Sequence, residues 1–300
     1  MRGATALVAF FLAGCAVTAA IFVTGSVMLD VAASRGRLPA TAVGGRAAPP
    51  LSADVVRKLD GLIAAFPGKA GVWVADPAAA SPLYTHDADT SVVSASLYKL
   101  GVLMEAERRI ESGTMRYSDR ITIQPDDVTE DGSGYVAGAV ISLDEALEAM
   151  ITLSDNSSAL ALWRRLGGDT IDATLARAGM PDFRVSLDRN GNTTVTPHAV
   201  GTYFALLARK ELVSASASER ILARLERQRI NDRLPAGLPK SAVVAHKTGN
   251  LPGLIHDAGV IFTPAGPRVV VVTTSDAFQG ANAFIAEIAA AVYGASVRTP

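Results

Sequence analysis

The order of strand-like and helix-like patterns constrains the fold of this chain more than any other feature of its sequence. Apolar strand patterns occur near both chain ends, at 71–75, 83–86, 243–247, 258–262 and 269–274. Between them, apolar residues recur at helical spacing, at 97–112, 142–153, 157–166, 170–179, 197–209 and 218–230, and further helical patterns occupy 51–66 and 279–293. This order predicts a mixed α/β fold of the α+β type. Helices would flank one antiparallel sheet completed from both chain ends, with an all-helical lobe inserted between its strands.

Composition excludes several classes of protein. With 300 residues, 49% of them hydrophobic and 19% charged, the chain has enough apolar material for a large core and is not disordered. A formal net charge of −1 gives no electrostatic reason to expect a nucleic-acid partner. The single cysteine, Cys15, excludes an intramolecular disulfide framework and a cysteine-based zinc site. We expect neither a metal nor another cofactor.

The N-terminus carries an apolar segment with several interpretations. Residues from Ala4 to Leu29 carry no charge and follow Arg2, and a helix of this length can span a bilayer. The segment also fits a secretory signal cleaved at the small residues 31–33, and the stretch 12–15, Leu-Ala-Gly-Cys, resembles a lipoprotein signal. A buried core helix is the remaining alternative, although a soluble core poorly explains such a length without charge. The first three interpretations place the rest of the chain outside the cytoplasm, either membrane-anchored or secreted.

Composition also suggests how the chain is divided. Residues 34–50 are small, rich in proline and glycine and mildly basic, which predicts a linker. We therefore expect a signal or membrane anchor over 1–33, a linker over 34–50 and a folded domain over 51–300. Within that domain, the strand-bearing lobe would comprise 51–95 and 236–300, and the helical lobe 96–235.

The first of three short polar motifs lies where the helical block begins. Ser96 and Lys99 are three residues apart at the start of a helix, so they share one helix face and the amine can reach the hydroxyl. The helix N-terminus favours negative charge that develops on the serine oxygen. A neutral Lys99 would then act as a general base for Ser96. Taken alone, a helix-capping serine beside a solvated lysine is the more ordinary interpretation.

The second motif, Ser154-Asp155-Asn156, lies between two helical patterns. A hydroxyl in this place can relay a proton to a leaving nitrogen, and an amide side chain can hold a substrate carbonyl. The ordinary alternative is a cap for the helix that begins at 157.

The third motif, Lys247-Thr248-Gly249, lies at the end of an apolar strand pattern. A lysine at a strand edge can bind a substrate carboxylate, and the glycine lets a ligand approach the backbone closely. A solvated strand end with a turn glycine explains this motif equally well when it is taken alone.

The three motifs gain weight in combination. Each occurs once, in the order S-x-x-K, S-D-N, K-T-G, and each lies where one block of structure changes to another. In this combination the chain resembles the class A β-lactamases, a family of penicillin-recognising serine hydrolases. The resemblance covers most of residues 52–295 and includes the stretches 150–158, 166–168 and 193–197.

The resemblance implies a role for each catalytic residue. Ser96 would be the nucleophile, Lys99 a base that activates it, and Ser154 the group that passes a proton to the leaving nitrogen. The backbone N–H groups of Ser96 and Asn250 would form the oxyanion hole, in which one donor is worth about 2.7–4 kcal/mol in the transition state.

The resemblance also implies a substrate-binding set. Asn156 would hold the substrate amide, Lys247 and Thr248 would face the substrate carboxylate, and Gly249 would leave room beside the strand.

One feature of the family is missing. Class A enzymes carry a glutamate on the Ω loop that positions the water for hydrolysis of the acyl-enzyme. The matching stretch here, 186–192, keeps Leu187-Asp188-Arg189 but continues with Asn-Gly-Asn, and no glutamate occurs between Glu148 and Glu211. Asp188 is the nearest carboxylate, and we expect it to be a structural partner for an arginine. Deacylation is therefore expected to be slow.

Two histidines outside the motifs are of a residue type that serves in catalysis and in metal binding. His246 is expected on the opposite strand face from Lys247, away from the site. His256-Asp257 is expected in the connection between two strands and lacks the H-E-x-x-H spacing of a metal site.

These observations predict a serine hydrolase that opens β-lactams or a related amide through an acyl-enzyme on Ser96, a chemistry that would serve antibiotic resistance or β-lactam catabolism. One alternative is a slowly deacylating penicillin-binding protein or cell-wall D,D-peptidase. Another is a catalytically inactive binding protein on the same scaffold. The expected partner is a small-molecule β-lactam or a peptidoglycan peptide, with membrane contact through the N-terminal segment. We expect a monomer in the bacterial cell envelope that binds no nucleic acid.

Overall fold

The structure, a computed structural model, describes residues 50–130 and 134–297. The predicted signal or anchor over 1–33 and nearly all of the linker lie outside these residues. The strands are β1 (Lys69–Ala75), β2 (Tyr84–His86), β3 (Val92–Val93), β4 (Arg120–Thr122), β5 (Val140–Ser142), β6 (Thr194–Val195), β7 (Val243–Leu251), β8 (Leu254–Thr263) and β9 (Gly266–Ser275). The α-helices are α1 (Ala53–Ala65), α2 (Lys99–Glu111), α3 (Leu143–Glu148), α4 (Asn156–Leu166), α5 (Gly168–Arg177), α6 (Pro197–Ala208), α7 (Ala215–Leu225) and α8 (Ala281–Val297).

The main sheet is completed from both ends of the chain, which confirms the predicted fold class. Its strand order is β2-β1-β9-β8-β7, and every neighbouring pair is antiparallel. The N-terminal hairpin therefore pairs through β1 with the last strand of the chain, with Val72 opposite Val272. Strand β7, which carries the Lys-Thr-Gly motif, lies at the open edge of the sheet.

Each face of the sheet is buried by a different set of helices. On one face, the side chains of Val72, Val270 and Val272 form a core with the terminal helices α1 and α8, where the rings of Phe66 and Phe284 stack at 4.3 Å. On the other face, neighbouring residues of the same strands join the core of α6 and the helical lobe. Because successive strand residues point to opposite faces, strands buried on both faces are nearly continuous runs of apolar residues.

Helix α2 forms the centre of the helical lobe. Every residue from Lys99 to Glu107 is buried, as expected for a helix surrounded by protein. The burial of the Glu105 carboxylate inside the lobe is compensated by hydrogen bonds that Arg108, Arg109 and Thr174 donate to it. Burial raises the pKa of Glu105, but these hydrogen bonds outweigh it and hold the pKa below its ordinary value. The helix that presents Lys99 is thus anchored deep in the protein.

Four details differ from the predicted elements. The lobe over 96–235, expected to be all-helical, also contains the short strands β4, β5 and β6. Strand β7 continues to Leu251, because a tight turn at Pro252–Gly253 pairs it with β8 along its whole length. The last turn before Ser154 is a π-helix, Ala149–Leu153, which helical spacing alone does not distinguish from an α-helix. His256 and Asp257, expected in a strand connection, lie within β8.

No helix within residues 50–130 and 134–297 combines the length and the apolar character that crossing a membrane requires.

Candidate active site

Ser96 lies in a strained turn that leads into α2. It belongs to the 3₁₀ turn Ala95–Tyr98, and the preceding Ala95 has a φ of +44°, a left-handed conformation that costs a residue with a Cβ about 1–3 kcal/mol. Two contacts hold Ser94: its N–H donates to the Thr193 carbonyl at 2.9 Å, and the two hydroxyl oxygens are 2.6 Å apart. The turn packs against β7, so Ser96, half-buried, lies where the two lobes meet.

Lys99 is fully buried one helical turn beyond Ser96. Its Nζ donates to the Ser154 carbonyl at 2.5 Å, to Asn156 Oδ1 at 2.6 Å and to Ser154 Oγ at 3.3 Å. The first and second motifs are therefore joined directly. These three contacts orient the amine, while its proposed role as the base for Ser96 stays a prediction.

The backbone around Ser154 explains how the second motif reaches Lys99. Ser154 ends the π-helix with φ +60° and ψ +29°, a left-handed conformation that turns the chain sharply. Asp155 then caps α4, because its side chain accepts the N–H of Ser158 at 2.6 Å. The predicted capping role is thus real, but it belongs to Asp155 and leaves Ser154 and Asn156 available to Lys99. π-Helical turns of this kind are frequent at functional sites.

Lys247 completes the cluster from the sheet. It is fully buried, and its Nζ donates to Ser154 Oγ at 2.9 Å and to the Thr248 carbonyl at 2.9 Å. Burial and the nearby charge of Lys99 lower the pKa of Lys247 well below its ordinary value, against the smaller effect of Asp257. Two amines therefore share one hydroxyl, an arrangement through which Ser154 can pass a proton.

Strand register places the backbone of Asn250 at the open edge of the sheet. The two-residue turn Pro252–Gly253 makes Leu251 and Leu254 a hydrogen-bonded pair, so the next pair, Asn250 and Ile255, is not hydrogen-bonded. The N–H of Asn250 therefore points away from β8, towards the lobe junction. This direction is what an oxyanion donor on β7 requires, and the assignment of that role stays a prediction.

Gly249 lets β7 pack closely against the turn that carries Ser96. A Cβ at this position would lie 3.2 Å from Ala95 Cβ, 3.2 Å from the Ser94 carbonyl oxygen and 3.1 Å from the ring of His256. The space on the Cβ side of Gly249 is therefore filled by the turn that carries Ser96 and by His256, and its role towards a ligand stays a prediction. Its neighbour Thr248 is likewise almost completely buried, at 2% exposure.

Arg233 supports this end of β7 and was not found by sequence reasoning. Its guanidinium is 4% exposed and donates to the carbonyls of Gly249 at 2.9 Å and His256 at 2.8 Å, and to Asn250 Oδ1 at 3.1 Å. Burial lowers its pKa below the ordinary value. Nothing in the local sequence of Arg233 distinguishes it from the other arginines; only the fold brings it to the third motif.

The two histidines have structural contacts. His246 lies on the opposite face of β7 from Lys247, as predicted, with its Nδ1 2.9 Å from a carboxylate oxygen of Asp257. His256 Nε2 is 2.9 Å from the Val93 carbonyl, and its Nδ1 accepts the N–H of Thr274 at 3.1 Å. These partners require the neutral Nε2–H form, and burial lowers the pKa of His256 to about 4. His256 thereby ties the segment before Ser96 to the sheet.

The stretch expected to match the Ω loop closes into a tight turn. Asp188 N–H donates to the Asn192 carbonyl at 2.8 Å, while Asp188 Oδ1 accepts the N–H groups of Asn190 at 2.8 Å and Asn192 at 2.9 Å. The predicted arginine partner of Asp188 is wrong, because this carboxylate binds backbone N–H groups of its own turn. Asp188 is exposed, and the turn presents no glutamate to the site.

Among residues 50–130 and 134–297, no group of three or more His, Cys, Asp or Glu side chains is arranged to hold a metal ion.

Comparisons with known proteins agree with this geometry. Residues 54–295 match a family model described as the beta-lactamase enzyme family. A β-lactamase of Streptomyces fradiae is 27% identical over 282 residues, which cover 86% of this chain and 92% of that protein. A β-lactamase of Streptomyces albus G is 28% identical over 251 residues, which cover 76% of this chain and 79% of that protein.

Solved structures show the same fold. The ancestral class A β-lactamase GNCA superimposes with a TM-score of 0.73 at 28% identity, covering 80% of this chain and 99% of its own. PBP-A superimposes with a TM-score of 0.76 at 23% identity, covering 84% of this chain and 99% of its own, a likeness that concerns the fold alone.

Proposed function

The chain is a serine β-lactamase-like hydrolase that belongs to the beta-lactamase enzyme family, and on this premise we propose that it opens β-lactams through an acyl-enzyme on Ser96. The observation that carries the proposal is the position of the Ser154 hydroxyl, which receives hydrogen bonds from both Lys247 and Lys99. A structural serine needs only one partner. A serine shared by two buried amines is equipped to move protons.

Acylation proceeds in two steps from these residues. Ser96 Oγ forms a bond to the lactam carbonyl carbon as its proton passes to the amine of Lys99, and the carbonyl oxygen becomes an oxyanion facing the Ser96 and Asn250 N–H groups. The C–N bond then breaks as Ser154 gives its proton to the leaving nitrogen. Lys247 or Lys99 replaces that proton, so the hydroxyl is restored and the products are an acyl ester and a free amine.

Hydrolysis of the ester needs a water molecule and a base. Water adds to the ester carbonyl, Ser96 leaves with a proton, and a carboxylic acid is released. The tight turn at Asp188–Asn192 favours a second candidate at this step, a slowly deacylating penicillin-binding protein or D,D-peptidase. In that case the acyl group persists on Ser96, or an amine replaces water as acceptor.

Intact-protein mass spectrometry after addition of benzylpenicillin tests the proposal. We expect one added penicillin mass per chain. An adduct that decays as product accumulates supports the β-lactamase, and one that persists supports the penicillin-binding alternative. Absence of any adduct, with no turnover of a chromogenic cephalosporin, contradicts both and leaves an inactive binding scaffold.

The proposed substrates also bear on location. We propose that the domain works outside the cytoplasm, because a charge-free segment of 26 residues, Ala4 to Leu29, precedes it and cell-wall peptides lie there. Protease digestion of intact cells tests this, because only an exported domain is accessible to the protease. We expect the domain to be cleaved in intact cells. Protection in intact cells and cleavage after lysis would contradict it.

A further inference from the structure

We propose that Phe278 forms an apolar wall on the acyl side of the substrate, so that the preferred substrates carry an apolar or aromatic group there. This inference rests on the proposed function, because it takes the direction of the bound substrate from the acylation chemistry.

The exposure of Phe278 is unusual for its residue type. Its side chain is 77% exposed, whereas Phe66, Phe183, Phe204 and Phe284 are all at most 9% exposed. It is also the most exposed large apolar side chain among residues 50–130 and 134–297. A single exposed apolar residue is common on protein surfaces, so exposure alone assigns nothing. Its position in the fold carries the argument.

The ring is held over the turn that ends β7. The N–H of Ala277 donates to the Gly253 carbonyl at 3.0 Å, which fixes the backbone beside Phe278. Phe278 Cζ lies 3.0 Å from the position that a Cβ on Gly253 would occupy. Gly253 has a φ of +74°, so the turn requires a glycine, and the missing side chain leaves room for the ring.

The other end of the same loop is tied to the site. Helix α8 follows Phe278, and Asn282 in its first turn accepts a hydrogen bond from Arg233 Nε at 3.3 Å. Arg233 in turn donates to Asn250 Oδ1 and the Gly249 carbonyl. The loop that carries Phe278 is thus joined to β7 on both sides of the ring.

The acylation chemistry sets the direction of the substrate along β7. The leaving nitrogen must lie near Ser154, which Lys247 binds, and the carbonyl oxygen must lie at the N–H of Asn250. The line from the leaving nitrogen to the carbonyl group therefore runs along β7 from residue 247 to residue 250. The acyl substituent continues in the same direction, towards Leu251 and the turn beneath Phe278.

The distances along the strand are compatible with this contact. Gly253 is three positions beyond Asn250, and because β7 ends at Leu251 and residues 252–253 turn back, the two residues lie closer than the roughly 10 Å that three steps of an extended strand would span. Some substrates carry a ring on the acyl side, beyond the carbon next to the carbonyl, and this ring comes alongside the turn. A substrate without an acyl side chain does not reach the turn. An aromatic substituent can stack on Phe278 or meet its edge, a contact that favours it over a small polar group.

Acylation rates with two penicillins test the inference. Benzylpenicillin carries a phenylacetyl group on the acyl side, and 6-aminopenicillanic acid lacks that group. We expect Phe278→Ala to lower the second-order rate constant of acylation by benzylpenicillin about tenfold, which corresponds to about 1.4 kcal/mol. The constant for 6-aminopenicillanic acid should change less than about twofold, and Phe278→Leu should retain part of the preference.

Val243→Ala is the matched control, since Val243 is 39% exposed at the far end of β7 and should leave both constants unchanged. Equal losses with the two penicillins in Phe278→Ala, or no loss with either, would overturn the inference while the proposed function stands. Failure of the unmodified protein to form an adduct with either penicillin would instead overturn the proposed function, and the inference with it.

Discussion

Two regions of the molecule differ in how completely they are built. In the first, the buried amines of Lys99 and Lys247 meet at the half-buried Ser154, and Ala95, just before Ser96, has a left-handed conformation. In the second, the turn Asp188–Asn192 is exposed, and the carboxylate of Asp188 accepts hydrogen bonds from the backbone of its own turn. We call these regions the amine cluster and the 188–192 turn.

Forming and breaking an acyl-enzyme therefore place separate demands on a protein. Forming it needs a nucleophile, a proton path to the leaving nitrogen and an oxyanion hole, all of which the amine cluster and β7 can supply. Breaking it needs a base aimed at a water molecule, and the 188–192 turn offers none.

The largest effect is expected at the nucleophile. Ser96→Ala should abolish covalent labelling by a reactive β-lactam while the protein stays folded, because Ser96 is the only serine followed three residues later by lysine. Intact mass and circular dichroism measure both outcomes. Ser91→Ala, at an exposed position on the same segment, should label normally. Persistent labelling of Ser96→Ala would remove the amine cluster from the mechanism.

The second prediction concerns turnover. One general base typically contributes 10²–10⁴-fold, about 3–5 kcal/mol, so without it the acyl-enzyme should accumulate. Stopped-flow measurements with a chromogenic cephalosporin should show a burst of one equivalent followed by a slow steady state. Rapid turnover without a burst would show that the 188–192 turn, or another group, supplies the base.

Asp188→Asn makes that experiment specific. The amide keeps the Oδ1 acceptor for the N–H groups of Asn190 and Asn192 but cannot act as a base. We therefore expect an unchanged steady-state rate. A tenfold fall would identify Asp188 as the base. The substitution Gly191→Glu, which would supply a carboxylate to the turn, is a poorer test. Gly191 has a φ of +79°, and any side chain there is strained.

The third prediction separates two roles of Lys247. If Lys247 binds the substrate carboxylate, Lys247→Ala should weaken acylation by carboxylate-bearing substrates more than acylation by their neutral esters. The expected difference is about 1.5–3 kcal/mol. If Lys247 acts instead as the partner of Ser154, the substitution should weaken acylation by acids and esters equally. Comparing each substrate with its methyl ester measures both. Equal losses would assign Lys247 wholly to the proton path.

The smallest effect is expected on stability. His256 has its pKa lowered by burial from 6.5 to about 4, so the unfolded chain binds more protons between these values and stability falls as pH decreases through this window. Between pH 7 and pH 5, His256 should contribute a loss of about 2 kcal/mol. Urea midpoints measure it: His256→Gln should flatten this dependence, whereas His198→Gln, at an exposed histidine, should keep it.

The sequence was sufficient for the fold class, and its motifs named Lys99, Ser154, Asn156 and Lys247, which the structure brings into contact. Apolar spacing identified the main strands and helices because burial on one or both faces leaves a regular pattern. The left-handed residues Ala95 and Ser154 could not be predicted, because neither is a glycine and their conformation is imposed by tertiary contacts. Arg233 was missed, and His256 was placed in a strand connection instead of within β8, for a similar reason. Each acts on residues brought near by sheet pairing, and nothing in its local sequence records that.

The sheet topology also orders the events of folding. Strand β1 pairs with β9, whose residues follow about 200 positions later, so β1 is synthesised early and acquires its central neighbour late. Until then, its apolar residues and its unpaired backbone groups stay available to other chains. Such non-local pairing slows folding. A chain of this design cannot close its main sheet until its last strand has emerged.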